Sequence, residues 1–147
     1  MASVHKGKEA EREIVRLLQP KVESAYEQVR KHLPTAVTPR LQRNTLACDG
    51  GGYDVVGLSW LALEIKNHKA PAVNDWWAQC LRQARPGQEP VLVYKKTGGP
   101  WRVRLWVTRD MRNGYCWRVA GDVSMKDFLD YFEQRTFIEA FGGKENT

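Results

Sequence analysis

Ala10, Ile14, Leu17 and Leu18 fall at i, i+4, i+7 and i+8, one apolar stripe of a helix over residues 7–18. Val22, Tyr26, Val29 and Leu33 continue a helical period up to Pro34. Pro20 stands between the two sets. It predicts a helix end, a kink, or the first position of a new helix, because proline has no N–H to give and crowds the preceding turn. Residues 34–52 lose the period and carry Pro34, Pro39 and the run Gly50-Gly51-Gly52. They read as a loop with room for one short strand. From Tyr53 the period becomes two: a short strand at 53–56, a turn at 57–59 and a second strand at 60–66 predict a hairpin. Asn74 or Asp75 is positioned to cap a helix over 76–84 that stops before Pro86. A short apolar strand follows at 90–94. Residues 101–107 alternate, and 115–119 can pair with them across Asn113-Gly114. Ser124, with Asp127 three positions on, opens a last helix to about Phe141, leaving a frayed tail over 142–147. Helices and strands interleaved in this order predict an α/β domain, a central mixed sheet with helices packed against it.

The 147 residues suit a single domain spanning 1–147. A hydrophobic share of 42% and a charged share of 27% exclude wholesale disorder. No apolar run approaches the ~18–20 residues of a membrane span, and the first residues lack the apolar stretch of a secretory signal. Cys48, Cys80 and Cys116 are odd in number and widely spaced, which argues against a disulfide framework and a structural zinc site and predicts a reducing cytoplasm. His5, His32 and His68 are too scattered for zinc hydrolysis. Lys and Arg number 23 against 17 Asp and Glu, a net charge of +6 with Arg in excess of Lys. Such a balance serves solubility equally well or marks a phosphate-bearing partner.

The 60–66 strand carries the candidate chemistry. Side chains alternate faces, so Leu61, Leu63 and Ile65 point into a core, and Ala62, Glu64 and Lys66 point the other way. A carboxylate and an ammonium two apart on an apolar strand are costly unless they face a cleft or each other. The hairpin brings Asp54 beside Glu64. Two carboxylates and a lysine converging at a sheet edge make a site for a divalent cation, with Mg²⁺ favouring oxygen ligands. Lysine then orients or deprotonates an attacking water, or neutralises charge on a phosphorane-like transition state. By chance the bare triple arises in about one chain of this composition in five. The competing reading is a surface salt bridge on an edge strand.

Asp54…Glu64-Ile65-Lys66 resembles the D…E-x-K core of the PD-(D/E)XK nucleases, in which a helix precedes an acidic β-hairpin that is followed by a helix and a strand. Tyr53 stands where the superfamily's leading Pro would be. Lys6-Gly7-x-x-x-Glu11-Arg12-x-Ile14-Val15 is similar to the opening helix of the archaeal-type Holliday junction resolvases. The resemblance covers about residues 6–95 and leaves 96–147 as an added element of strands and helix. It implies a restriction-endonuclease-like sheet flanked by helices and a metal-dependent, structure-selective endodeoxyribonuclease, with Holliday junction resolution as the narrower expectation. Asp54 and Glu64 would hold Mg²⁺ (or Mn²⁺) with the Ile65 carbonyl. Lys66 would position or activate the water, and Glu11, with Glu9 and Glu13 as its confusable neighbours, would join the metal site. A symmetric homodimer would cut the two equivalent strands of a junction. The source implied is a small bacterial or phage recombination enzyme, acting in the bacterial cytoplasm. The serine these resolvases carry before the Asp has no counterpart here, Thr45 being the nearest hydroxyl.

Gln79 and Gln83, on the helix after the motif, sit where related nucleases often carry a Gln near the scissile phosphate; a polar helix face explains them as well. Lys69 and His68 follow the motif strand and can reach phosphate or solvent. Arg102, Arg104, Arg109, Arg112 and Arg118 cluster late in the chain, with Arg102 and Arg104 on one strand face, which assigns that face to phosphate contact. The six tryptophans suit core packing or a dimer interface before base stacking. Two other readings stay open: another DNA endonuclease of the same superfamily, nicking or restriction-type, and a non-catalytic nucleic-acid-binding module of the same fold. A basic protein-interaction domain would show no salt-sensitive affinity for DNA.

Overall fold

The N-terminal apolar stripe folds as one unbroken helix, α1 (Ala2–Val29), in a computed structural model that describes residues 2–45 and 53–145, with side chains over 6–45 and 53–142. Pro20 neither ends nor divides it. Ile14, Leu18, Val22, Ala25 and Val29 are all buried, so the stripe keeps its phase across the proline. Pro20 itself lies on the exposed side. Continuous burial of that stripe outweighs a local cost of about 3 kcal/mol for an interior proline. Ala25 takes the core position expected of Tyr26, which is half-buried.

Beyond α1 come β1 (Gln42–Arg43), β2 (Val55–Val56), β3 (Leu61–His68), α2 (Val73–Gln83), β4 (Glu89–Lys96), β5 (Arg102–Asp110), β6 (Cys116–Ser124) and α3 (Met125–Glu145). Among the described residues the six strands form one mixed sheet in chain order. Only β3 and β4 run parallel, joined by the crossover helix α2; the other neighbours are antiparallel. The expected loop at 34–52 holds β1; Cys48 and the triple glycine fall outside the described residues.

Two hydrophobic layers sandwich the sheet. Leu61, Leu63, Ile65, Val91, Val93 and Val103 pack beneath α1 and α3. On the opposite face, Trp76, Trp77 and Cys80 of α2 cover Leu92, with Tyr94 and Trp106 alongside. The predicted alternation along β3 therefore holds, with both faces buried. The α2 cap differs from expectation: Ala72 precedes the helix without a side-chain hydrogen bond, and Asn74 and Asp75 lie inside its first turn. Asn74 instead accepts a hydrogen bond from Arg104 (3.1 Å). At α3 the cap is as expected, the Asp127 N–H donating to Ser124 Oγ (3.1 Å). The helix continues through the supposed frayed tail to Glu145.

Residues 96–147 are built into the fold. β5 and β6 extend the same sheet, and Phe128 and Phe132 of α3 are fully buried in the layer that also holds Ile14 and Leu63. No helix among the described residues is long and apolar enough to cross a membrane.

Candidate functional site

β2 is only two residues long, and its brevity makes the site. It pairs with β3 through Val55 opposite Leu63, and the register one step on sets Asp54 opposite Glu64. The Asp54 N–H donates to the Leu63 carbonyl (2.8 Å). Its carboxylate Oδ2 accepts the Ile65 N–H (2.7 Å) in place of a backbone partner. The Asp54 side chain is thus fastened along the edge of β3 that β2 leaves uncovered. A strand residue's N–H and C=O point to the same side, so the Ile65 carbonyl is directed to the Asp54 side too.

Glu64 is 3% exposed and hydrogen-bonds the Asp54 carboxylate. Its pKa is pushed up to about 9, first by burial and then by the hydrogen bond and charge of Asp54. Lys66 pulls the other way, and the Glu11 charge adds a smaller upward push. The pair therefore holds a proton at neutral pH. Burial also removes the competing reading of a surface salt bridge on an edge strand: β3 is an interior strand, third of six. The carboxylates converge where its short neighbour ends, not at the edge of the sheet. Cys80 of α2 packs against the same spot, its thiol pushed up to about 12 by burial and by the Glu64 charge.

A cleft of about 590 Å³ opens between the start of α1 and the C-terminal end of β3, lined by Lys6, Glu11, Asp54, Ile65, Lys66 and Lys69 among others. Glu64 does not line it and is reached through Asp54. Glu11 does line it, and its Oε2 accepts a hydrogen bond from Arg43 Nε (2.7 Å). Its neighbours are separated by structure: Glu13 accepts from the Trp101 indole (3.1 Å), and Glu9 is exposed. Sequence reasoning missed two residues here. Arg43 sits on a two-residue strand with no pattern to announce it. Lys6, whose Nζ donates to Thr97 Oγ1, belongs to the K-G-x-x-x-E-R run, a pattern that by itself implies no role for it. Thr97 in turn donates to Asn67 (3.1 Å), tying α1 to the end of β3.

Of the remaining candidates, Lys69 and His68 line the cleft and the others lie apart from it. Lys69 is exposed at the rim. His68 is exposed, with its ring 5.2 Å from that of Trp76. Gln79 and Gln83 are half-buried on α2, and neither lines the cleft. Arg102 is exposed, whereas Arg104 makes a two-pronged ion pair with its cross-strand neighbour Asp122 (both contacts 2.9 Å). That pair holds the Asp122 carboxyl below its ordinary range. Of the tryptophans, Trp60, Trp76 and Trp77 are buried and Trp117 is exposed.

The donor set is hard oxygen, two carboxylates in contact and one backbone carbonyl, which suits Mg²⁺ or Mn²⁺ over zinc. A dication replacing the shared proton would relieve the repulsion that Glu64 otherwise meets by staying protonated. Among the described residues no group of three or more His, Cys, Asp or Glu side chains is set to hold a metal ion; Glu11 is turned to Arg43. No protein-family model, curated protein or solved structure matches the chain.

Proposed function

We propose that this protein is a metal-dependent endodeoxyribonuclease that hydrolyses phosphodiester bonds in branched DNA, with a restriction-endonuclease-like sheet and the Holliday junction as its substrate. The observation that carries the reading is the contact of buried Glu64 with Asp54, where Asp54 and Lys66, the next same-face residue of β3, stand on the wall of an open cleft. Asp54, Glu64 and the Ile65 carbonyl would hold the cation. Bound there, Mg²⁺ or Mn²⁺ supplies Lewis acidity that makes water a stronger nucleophile and offsets charge on the phosphate. Lys66 Nζ orients the attacking water and neutralises charge on the non-bridging oxygens of the scissile phosphate. Arg43 keeps Glu11 at the cleft wall, where its carboxylate can hold a cation's water in place. Lys6 and Lys69 flank the cleft with positive charge for the adjoining backbone. A homodimer would present two such clefts to the two equivalent strands of a junction.

The test is cleavage of a labelled four-way junction beside matched linear duplex and single strand, with Mg²⁺, with EDTA, and with Glu64→Gln. Paired nicks in the junction alone, abolished by EDTA and by Glu64→Gln, are expected. Equal cutting of all substrates would keep the nuclease and remove the junction preference. Binding without cutting under every condition would leave a non-catalytic DNA-binding module.

A further inference from the structure

The hairpin of β5 and β6 runs past the rest of the sheet. β4 begins at Glu89, which the Leu92–Arg104 register sets opposite Val107. Beyond that point the two strands continue alone, and every residue from 107 to 119 is exposed. Asn113 (φ 65°) and Gly114 (φ 77°) turn the chain in the left-handed region. The Met111 N–H donates to the Tyr115 carbonyl (2.7 Å) and closes the turn. The tip is therefore a braced turn carrying Arg109, Asp110, Met111, Arg112, Tyr115 and Trp117 around an open hollow of about 900 Å³. Tyr115 is 74% and Trp117 54% exposed, and Arg109 lies directly across the ladder from Trp117. Neither Arg109 nor Arg112 makes an ion pair among the described residues, and Asp110 is the only acid between them.

We infer that this tip is a second nucleic-acid contact, a clamp for unpaired DNA in which Tyr115 and Trp117 stack on bases and Arg109 and Arg112 pair with phosphates. The inference rests on the nuclease reading for its substrate, since branched DNA supplies unstacked bases. Charge complementarity selects the occupant. A second copy of the chain would bring the same arginines face to face, whereas a DNA strand offers one anionic phosphate per nucleotide between flat apolar rings. From the level of Lys66, which the register carries through Tyr94 to Arg102, the tip lies eight strand residues away, about 26 Å along the sheet. At about 3.4 Å per nucleotide, DNA seated in the cleft must extend some eight nucleotides to reach it.

The test is fluorescence anisotropy on the full chain in EDTA, with labelled oligothymidylate and matched duplex. The variants are Tyr115→Ala with Trp117→Ala and, separately, Arg109→Gln with Arg112→Gln; all four positions are exposed, so folding should be kept. Loss of each ring is expected to weaken single-strand binding about fivefold or more. The arginine pair should lower the slope of log affinity against log salt by about 1.4. Affinities unchanged from the parent, or a dimer that the aromatic variant turns into monomer by light scattering, would overturn the clamp. The nuclease reading fails separately, if the parent binds single strand through the tip yet cuts nothing with Mg²⁺. A parent that binds no DNA sinks both.

Discussion

Glu64→Gln tests the electrostatics of the site without using DNA. In the metal-free fold Glu64 is protonated up to about pH 9, whereas in the unfolded chain it ionises near its ordinary value of 4.5. Between those values the native state binds one more proton than the unfolded state, so stability falls as pH rises and is fully retained only below about pH 4.5. At pH 8 the gap spans about 3.5 pH units, which at about 1.4 kcal/mol per unit sets an upper bound of about 5 kcal/mol on the loss. Glutamine keeps the shape, donates to Asp54 as the protonated acid does, and does not titrate. The variant should therefore be more stable than the parent at pH 8 in EDTA, and the difference should shrink towards pH 5. Mg²⁺ or Mn²⁺ should raise the melting temperature of the parent at pH 8 and leave that of the variant nearly unmoved. Urea and thermal unfolding at pH 5, 6.5 and 8, each with EDTA and with metal, measure all of this. Parallel pH profiles for the two proteins, with no metal response in the parent, would refute the account of Asp54 and Glu64 as a proton-sharing pair.

Lys66→Met should lower cleavage by about 10²–10³-fold while keeping the metal-dependent rise in melting temperature. Unchanged cleavage would remove Lys66 from the chemistry. Pro20→Ala should stabilise the fold by about 1–2 kcal/mol in urea titration, part of the roughly 3 kcal/mol cost of an interior proline being offset by the restriction it places on the unfolded chain. With its thiol pushed up to about 12, Cys80 has about one part in ten thousand as thiolate at pH 8. Mass-mapped labelling with a disulfide reagent should modify exposed Cys116 at once and Cys80 only after unfolding; prompt labelling of Cys80 in the native chain would mean that α2 lifts from the sheet.

Local patterns announced most of the elements. The turn at Asn113-Gly114, the Ser124 cap and the alternation along β3 each depend on residues close in sequence, and each stands where it was expected. Asp54 opposite Glu64 was legible for the same reason, since a hairpin fixes its own register. What escaped depends on distant partners. Pro20 sits inside a helix because residues as far away as Phe132 bury the stripe on both sides of it. The strand face of Arg104 alone points to phosphate, yet Asp122 and Asn74 occupy it, and neither adjoins it in sequence. Arg43 meets Glu11 across 32 positions. The C-terminal third carries no resemblance that would tie it to the rest, although its aromatic residues complete the main core.

The packing of α3 against α1 has a consequence for synthesis. The cleft needs α1 as one wall, and α1 needs Phe128 and Phe132 to close the layer beneath it. Contacts this distant in sequence make folding slow and leave the emerging strands exposed for longer. A ribosome that has released everything up to β6 has made every cleft residue, but not the support that holds α1 against the sheet. The cleft around the carboxylate pair would thus be closed only when α3 docks, so a truncated or stalled product would lack the complete candidate cutting site.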